Sequence, residues 1–556
     1  MDRWFRRSVI YQIYPKSFMD SNNDGIGDIK GIISKLDYLK FLGIDGIWIT
    51  PIYCSPQVDN GYDINDYYKI DKIFGKDEDF DLLITEAHKR DIKIIMDIVV
   101  NHTSDKHFWF KEAIKNKNNK YRDYYIIKKG KDGNPPNNWV SMFGGSAWEK
   151  IDEENYYLHL FAKEQPDLNW ENSDLRKEIY KMQNFWMKRG VDGLRLDVIN
   201  LISKDQRFLD DNGIGTKGKC FYANGPKIHT YLKEMNKEVF SKYNSMIVGE
   251  TMSTTPEIAI EYTKPENNEL DMIFSMAHLK ADYTNGDKWT PKKLNVKEFK
   301  NILSEWQIKL NSNNCWNSLF LGNHDLPRMV SRFGNDSEEY RELSAKMLGT
   351  TIHFLRGTPY IYQGDEIGMT NPYFNNIKNY KDIESINLYT ERTASGFSEE
   401  QIMEGIKKQS RDNGRTPMQW NSNENAGFSK VIPWFKLAPN YKTINIESAL
   451  KNSDSILYHY KKLIQLRKEL NIIIEGKYEL VDFDIDEIWG YKRVTEKEEI
   501  IIISNFSEKL FNIDFNYKIK RRIISNYKNI LLENNVLKLR AYESIVVEIF
   551  KGEQCE

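Results

Sequence analysis

Three acidic residues, Asp197, Glu250 and Asp325, each stand at or just past the end of a short apolar run, in L-R-L-D, I-V-G-E and F-L-G-N-H-D. A carboxylate at the C-terminal end of a buried parallel strand enters the rim where loops converge and chemistry is done. Arg195 lies two residues before Asp197 and faces the same side, because strand side chains alternate. A carboxylate beside a guanidinium stays ionised near neutral pH, as a carboxylate nucleophile must. Glu250 has no neighbouring cation in sequence and is expected to hold its proton, so it reads as the general acid and base. Asp325, beside His324, reads as a group that binds hydroxyls and opposes a developing positive charge. Cleavage of an acetal with retention needs such a set: one carboxylate attacks the anomeric carbon while another, about 5 to 5.5 Å away, protonates the leaving oxygen. Taken singly, each acid has a plain alternative as a helix cap or a structural ion-pair partner.

These side chains meet only if the elements behind them converge. Strand-like runs fall at 9–13, 46–49, 94–99, 193–196, 246–249, 272–274, 318–321 and 359–362, with helical segments between them. One such helix carries Ile179, Met182 and Trp186 on a single stripe and closes at Gly190, just before the fourth run. Alternating strand and helix predicts a parallel α/β fold, and eight units predict a (β/α)8 TIM barrel; a doubly wound sheet is the alternative. Two stretches break the alternation. Residues 104–171 mix loop signals with aromatic β-like pieces and read as a small domain inserted after strand 3. From 478 to 556 the helical period gives way to β-rich pieces, which predicts a C-terminal antiparallel β-sandwich domain. Residues 1–103 and 172–477 are left to the barrel, closed by a helix at 454–470.

With 556 residues the chain exceeds one ordinary hydrophobic core, and 40% hydrophobic with 29% charged residues describe a soluble globular protein. Lys and Arg number 79 against 81 Asp and Glu, a net charge of -2, which speaks against nucleic acid or an anionic membrane as partner. No apolar run approaches the roughly 18 residues of a membrane span. Cys54, Cys220, Cys315 and Cys555 are widely spaced, and no secretory leader opens the sequence, so reduced thiols in a cytoplasmic protein are expected. A monomer or weak oligomer is expected, with a small molecule as its partner.

The loop at 20–28, D-S-N-N-D-G-I-G-D, places Asp20, Asn22, Asp24 and Asp28 on an every-second-position grid, and the Ile26 carbonyl adds another oxygen. Hard oxygen donors at that spacing predict a bound Ca²⁺ or Mg²⁺, against the alternative of a self-capping turn of Asx residues. No organic cofactor is expected.

Four motifs, D-I-V-V-N-H at 97–102, G-L-R-L-D at 193–197, V-G-E at 248–250 and N-H-D at 323–325, resemble those of the α-amylase-type retaining glycoside hydrolases, in that family's order and spacing. The resemblance implies an eight-stranded barrel with an inserted B domain and a C-terminal β domain. It implies Asp197 as nucleophile, Glu250 as acid/base and Asp325 as transition-state stabiliser. Asp59, Tyr62, His102, Arg195, His324 and Arg411 match positions that hold the innermost glucosyl ring. Tyr62 can stack on a sugar face, and Asp59 with Arg411 can clamp the hydroxyls farthest from the scissile bond, which suits an exo-acting pocket.

Within the family, Q-P-D-L-N-W from Gln165, a further substrate-binding candidate, and Val198 after the nucleophile resemble a subgroup of oligo-1,6-glucosidases, dextran glucosidases and trehalose-6-phosphate hydrolases. The stretches at 55–63, 248–255 and 278–289 lean toward enzymes of the phosphorylated disaccharide, with Lys280 and Lys288 as candidate phosphate contacts. Leu326 departs from that pattern and is shared with dextran glucosidases, so an α-1,6-glucosidase is the runner-up. A transglycosylase or sugar isomerase would share the same covalent intermediate. A non-catalytic binding subunit of this fold lacks the catalytic acids and carries a membrane span, and neither holds here.

Overall fold

The computed structural model describes residues 3–554. Eight parallel strands form one sheet: β1 (Ile10–Ile13), β2 (Gly46–Ile49), β3 (Lys93–Val99), β4 (Gly193–Asp197), β5 (Met246–Thr251), β6 (Met272–Ser275), β7 (Ser318–Leu319) and β8 (Thr358–Tyr362). Neighbours run in the order β6-β5-β4-β3-β2-β1-β8-β7. The seam between β7 and β6 is joined by the Ser318 hydroxyl, which donates to the Ile273 carbonyl at 2.6 Å. The sheet is therefore a barrel and the doubly wound alternative is set aside. All eight predicted strands are present. The seventh is only two residues long, because the chain turns away after Leu319 toward the N-H-D loop.

The strands are continuous β-branched and aromatic runs because both their faces are covered, by helices outside and by packed side chains within. Inside the barrel Trp48 stacks on Phe274 at 5.3 Å between ring centres, and Phe274 meets Tyr360 edge to face at 4.6 Å. This aromatic floor lies directly under the polar rim, since the Trp48 indole N–H donates to Asp97 at 3.1 Å. Upstream of β4, the helix Ser173–Lys188 ends in Gly190 at φ 104°, a left-handed turn open to glycine. Gly193 then starts the strand where a Cβ would come within 2.7 Å of the Met246 carbonyl.

Between β3 and β4 the chain forms a three-stranded antiparallel sheet from Ile127–Lys129, Asn155–Leu158 and Trp148–Lys150. Its core gathers Trp139, Trp148 and Leu160 together with Phe208 and Tyr222 from the segment that follows β4. At the C-terminal end a five-stranded and a three-stranded antiparallel sheet, including Ile488–Val494, Glu499–Asn505 and Val536–Leu539, enclose a core of Ile501, Ile503, Phe515, Leu537 and Val547. This unit grips the helix Val296–Ser312, which feeds β7: Lys300 Nζ donates to the Ile488 carbonyl at 2.9 Å, and the Ser304 and Tyr478 hydroxyls lie 2.6 Å apart. The barrel's last long helix spans Ile456–Glu469. Cys54, Cys220 and Cys315 are free thiols, while Cys555 lies outside the described residues. Among the described residues no helix is long and apolar enough to cross a membrane.

Candidate active site

Adjacent strands build the centre of the rim. Register sets Asp97 of β3 opposite Arg195 of β4, and Val248 of β5 opposite the same arginine. Arg195, 2% exposed, is thereby reached by acids from three strands. It donates through Nη1 to Asp97 at 2.7 Å and to Asp197 at 2.6 Å, and through Nη2 to Glu250 at 2.5 Å. Its guanidinium also lies 5.1 Å from the Trp48 ring centre and 5.7 Å from that of Tyr62. The chain leaves β4 through Val198 at φ 35°, a left-handed conformation that costs a β-branched residue free energy. In that conformation the Val198 N–H points at Glu250, 3.3 Å away.

The expected division of charge needs correcting. Arg195 does not serve Asp197 alone, because the same guanidinium serves Glu250. Burial pushes the Asp197 carboxyl well above the ordinary range; Arg195 opposes this, and Glu250 and Asp97 reinforce it. Asp97 is pushed up by burial too, against Arg195 and His324. Asp97 and Asp197, buried around one cation, thus retain a proton more tightly than separate acids would. Adjacency in sequence does not show that Arg195 is shared among the acids.

Asp325 sits in a contrasting setting. Burial raises its carboxyl, but His324, Arg411 and Arg415 outweigh that and hold it well below the usual range. Arg415 donates to it at 2.9 Å and Arg411 at 3.3 Å. Arg411 also reaches Asp59 at 3.2 Å and Asp382 at 2.6 Å, so it joins the two sides of the pocket. Asp59 is pushed up to about 6 by burial, although Arg411 and Arg415 pull the other way. Gln165 donates to Asp59 at 3.1 Å and lies equally near His102 Nε2. The His102 ring is held neutral by burial, its pKa lowered to about 4. Tyr62 stacks on His324 at 5.2 Å, its hydroxyl donates to Asp97 at 2.9 Å, and Gln12 fixes the far side of the His324 ring at 2.7 Å.

These groups surround a cavity of about 310 Å³. Asp59, Tyr62, His102, Asp197, Glu250, Asp325, Lys280, Lys288 and Arg411 line it. Gln165, Arg195 and His324 do not; they stand behind the wall and orient the residues that do. Sequence reasoning missed Asp97, Asp382 and Arg415, whose partners lie far away in the chain. It also missed the apolar mouth of Phe143, Phe161, Met252 and Tyr283, and Lys219 beside it. A volume this size, closed at one end by paired charges, suits one or two sugar rings rather than a polymer groove.

The loop at 20–28 is separate from the cavity. Asp20 accepts N–H bonds from Asn22, Asn23 and Gly25 and the Ser429 hydroxyl. Asp28 caps the helix Ile29–Ser34 through the Gly31 N–H and also holds Ser21, while Asp24 accepts from Asn22 and Ile26. Among the described residues no three His, Cys, Asp or Glu side chains gather as metal ligands. In this arrangement the oxygens accept from local donors, as in an Asx turn. All five proposed donors are oxygens, the chemistry a hard divalent cation takes.

Comparison with known proteins matches residues 12–476 to the family described as "Alpha amylase, catalytic domain" and residues 488–546 to "Alpha-amylase SusG C-terminal domain". The chain is 50% identical to a trehalose-6-phosphate hydrolase of Bacillus subtilis (strain 168), covering 99% of this chain and 98% of that protein. It is 51% identical to an oligo-1,6-glucosidase of Parageobacillus thermoglucosidasius, covering 98% and 99%. The crystal structure of Bacillus licheniformis trehalose-6-phosphate hydrolase superposes with a TM-score of 0.94 at 52% identity, covering 99% of this chain and all of that one.

Proposed function

The chain belongs to the alpha-amylase family of glycoside hydrolases, and from that premise we propose that it hydrolyses α,α-trehalose 6-phosphate, with retention, to glucose and glucose 6-phosphate. The observation that carries the reaction type is the grip of one arginine on Asp197 and Glu250 at the closed end of a single cavity. In the proposed sequence a carboxylate oxygen of Asp197 bonds to the anomeric carbon while Glu250 gives its proton to the bridging oxygen, and that carbon–oxygen bond breaks. Glucose 6-phosphate leaves. Glu250 then takes a proton from water, whose oxygen displaces Asp197 and restores the original configuration. Asp325, kept anionic by Arg411 and Arg415, faces the positive charge that builds on the ring. Asp59, Tyr62, His102 and Arg411 hold the terminal glucose, with Gln165, Arg195 and His324 orienting them.

Support for the phosphorylated substrate comes from ammonium groups at the cavity mouth and from the Bacillus relatives. Leu326 in the lining favours the second reading, an α-1,6-glucosidase of isomaltose-like sugars. Rates measured side by side on trehalose 6-phosphate and isomaltose test the choice. A kcat/KM at least about tenfold higher on the phosphorylated sugar is expected, a difference of about 1.4 kcal/mol in transition-state binding. Turnover of isomaltose alone would overturn it, and product analysis at high substrate separates hydrolysis from transglycosylation.

The same reading divides the chain into a barrel of residues 1–103 and 172–477, a B domain of 104–171 and a β domain of 478–556, working as a cytoplasmic monomer or weak oligomer. It assigns a structural Ca²⁺, or Mg²⁺, to Asp20, Asn22, Asp24, Ile26 and Asp28, the ion replacing local N–H donors and taking no part in catalysis. Metal analysis after dialysis is expected to find about one ion per chain, and Asp24→Ala is expected to lower Tm by about 1 °C, roughly 1 kcal/mol in a protein this size. Metal-free protein with an unchanged Tm in the variant would remove the ion.

A further inference from the structure

Three ammonium groups line the cavity mouth, and they are not equivalent. Lys288 contacts Glu384 at 2.8 Å and lies 4.6 Å from the centre of the Trp289 ring. Glu384 in turn lies 3.6 Å from Arg411. The charge of Lys288 is therefore committed to a chain of ion pairs that ends on the pocket floor. Lys219 and Lys280 differ from it: among the described residues neither is paired with a carboxylate. Both line the one cavity, and burial lowers the Lys219 pKa, with the neighbouring charge of Lys280 lowering it further.

Like charges gathered without counter-ions raise the free energy of an empty site and favour a ligand that cancels them. The surrounding chain holds Lys219 where it is. Asp211 accepts the N–H groups of Gly213 and Gly218, each at 2.7 Å, and Gly218 turns at φ 91° against Trp139, leaving no room for a Cβ. This loop is an anchored presentation of the lysine. A sugar phosphate carries about two negative charges near neutral pH, and two unpaired lysines match that number.

We infer that Lys219 and Lys280 together form the phosphate-binding corner of the outer subsite, and that Lys288 is a positioning residue for Glu384 and Arg411. The inference rests on the phosphorylated-substrate reading and changes its contact set, bringing in Lys219 and withdrawing Lys288.

Wild type, Lys219→Met, Lys219→Arg, Lys280→Met and Lys288→Met are compared on trehalose 6-phosphate and unphosphorylated trehalose, with glucose 6-phosphate and glucose as competing inhibitors. Lys219→Met and Lys280→Met are expected to lower kcat/KM for the phosphorylated sugar about 10- to 100-fold, mostly through KM, and to weaken glucose 6-phosphate inhibition by a similar factor. The preference for phosphorylated over plain trehalose falls with it, and Lys219→Arg keeps most of the preference. Lys288→Met is expected to lower kcat/KM on both sugars alike. An unchanged KM for the phosphorylated sugar in Lys219→Met, or equal losses on both sugars, overturns the inference while leaving the substrate reading intact. A wild type that neither cleaves trehalose 6-phosphate nor binds glucose 6-phosphate better than glucose overturns both.

Discussion

Asp197→Asn is expected to lower kcat by about 10⁴-fold or more, at least roughly 5.5 kcal/mol of barrier, with little change in the binding of glucose. The amide is nearly isosteric, so the pocket keeps its shape, but the side chain can no longer form the covalent intermediate through which retention proceeds. The same substitution is expected to leave Tm unchanged or to raise it. Burial, Glu250 and Asp97 all disfavour a charge on Asp197. A neutral group there relieves repulsion, and Arg195 keeps two carboxylates as partners. Steady-state rates on a chromogenic α-glucoside and a thermal melt check both halves. A kcat within about tenfold of wild type would remove Asp197 as nucleophile.

The opposite pattern is expected of Arg195→Met. Among the described residues Arg195 is the cation paired with Asp97, Asp197 and Glu250, so its removal strands three buried carboxylates, and breaking a buried charge set in this way costs about 3 to 5 kcal/mol. Stability and activity should fall together. The pH dependence carries a definite sign. Asp97 and Asp197 already hold their protons above the ordinary carboxyl range, and Arg195 is what limits that shift. Without it the folded state binds protons to still higher pH than the unfolded chain does, so stability falls as pH rises. The deficit against wild type is therefore smallest near pH 4, where the unfolded acids also take up protons, and grows through neutrality. Urea melts at pH 4.5, 6 and 8 would show it. A deficit that is flat or shrinks with pH would mean that the arginine acts by packing alone.

Much of this was legible in the residues. Eight apolar runs with helical stretches between them are enough to find a barrel, because strands covered on both faces carry a continuous hydrophobic signal. The three acids were visible because each closes such a run. The partners that set their charge were not. Asp97 meets Arg195 through strand register, and Asp382, which caps the helix Ile383–Ala394, meets Arg411 from 29 positions away. Neither pairing leaves a trace in local sequence. The sharing of Arg195 was hidden for the same reason: Glu250 lacks a cation nearby in the chain but has one 2.5 Å away in space. Lys219 was passed over because K-G-K in a polar, glycine-rich loop reads as solvated charge. In the loop at 20–28, one of the donors that the Asp20 oxygens turn toward is Ser429, some 400 positions later, which no local pattern shows.

The two-residue seventh strand is the thinnest stave of the barrel, and the helix that delivers it is the one held from outside by Tyr478 and by the Ile488 carbonyl. The terminal β unit therefore works as a hoop on the weakest joint. Because Asp325 hangs from that joint while Asp197 and Glu250 hang from staves braced on both sides, slackening the hoop would unseat one catalytic acid and spare the other two. A module remote from the sugar would then be felt first as poorer stabilisation of the oxocarbenium ion, well before the barrel itself came apart.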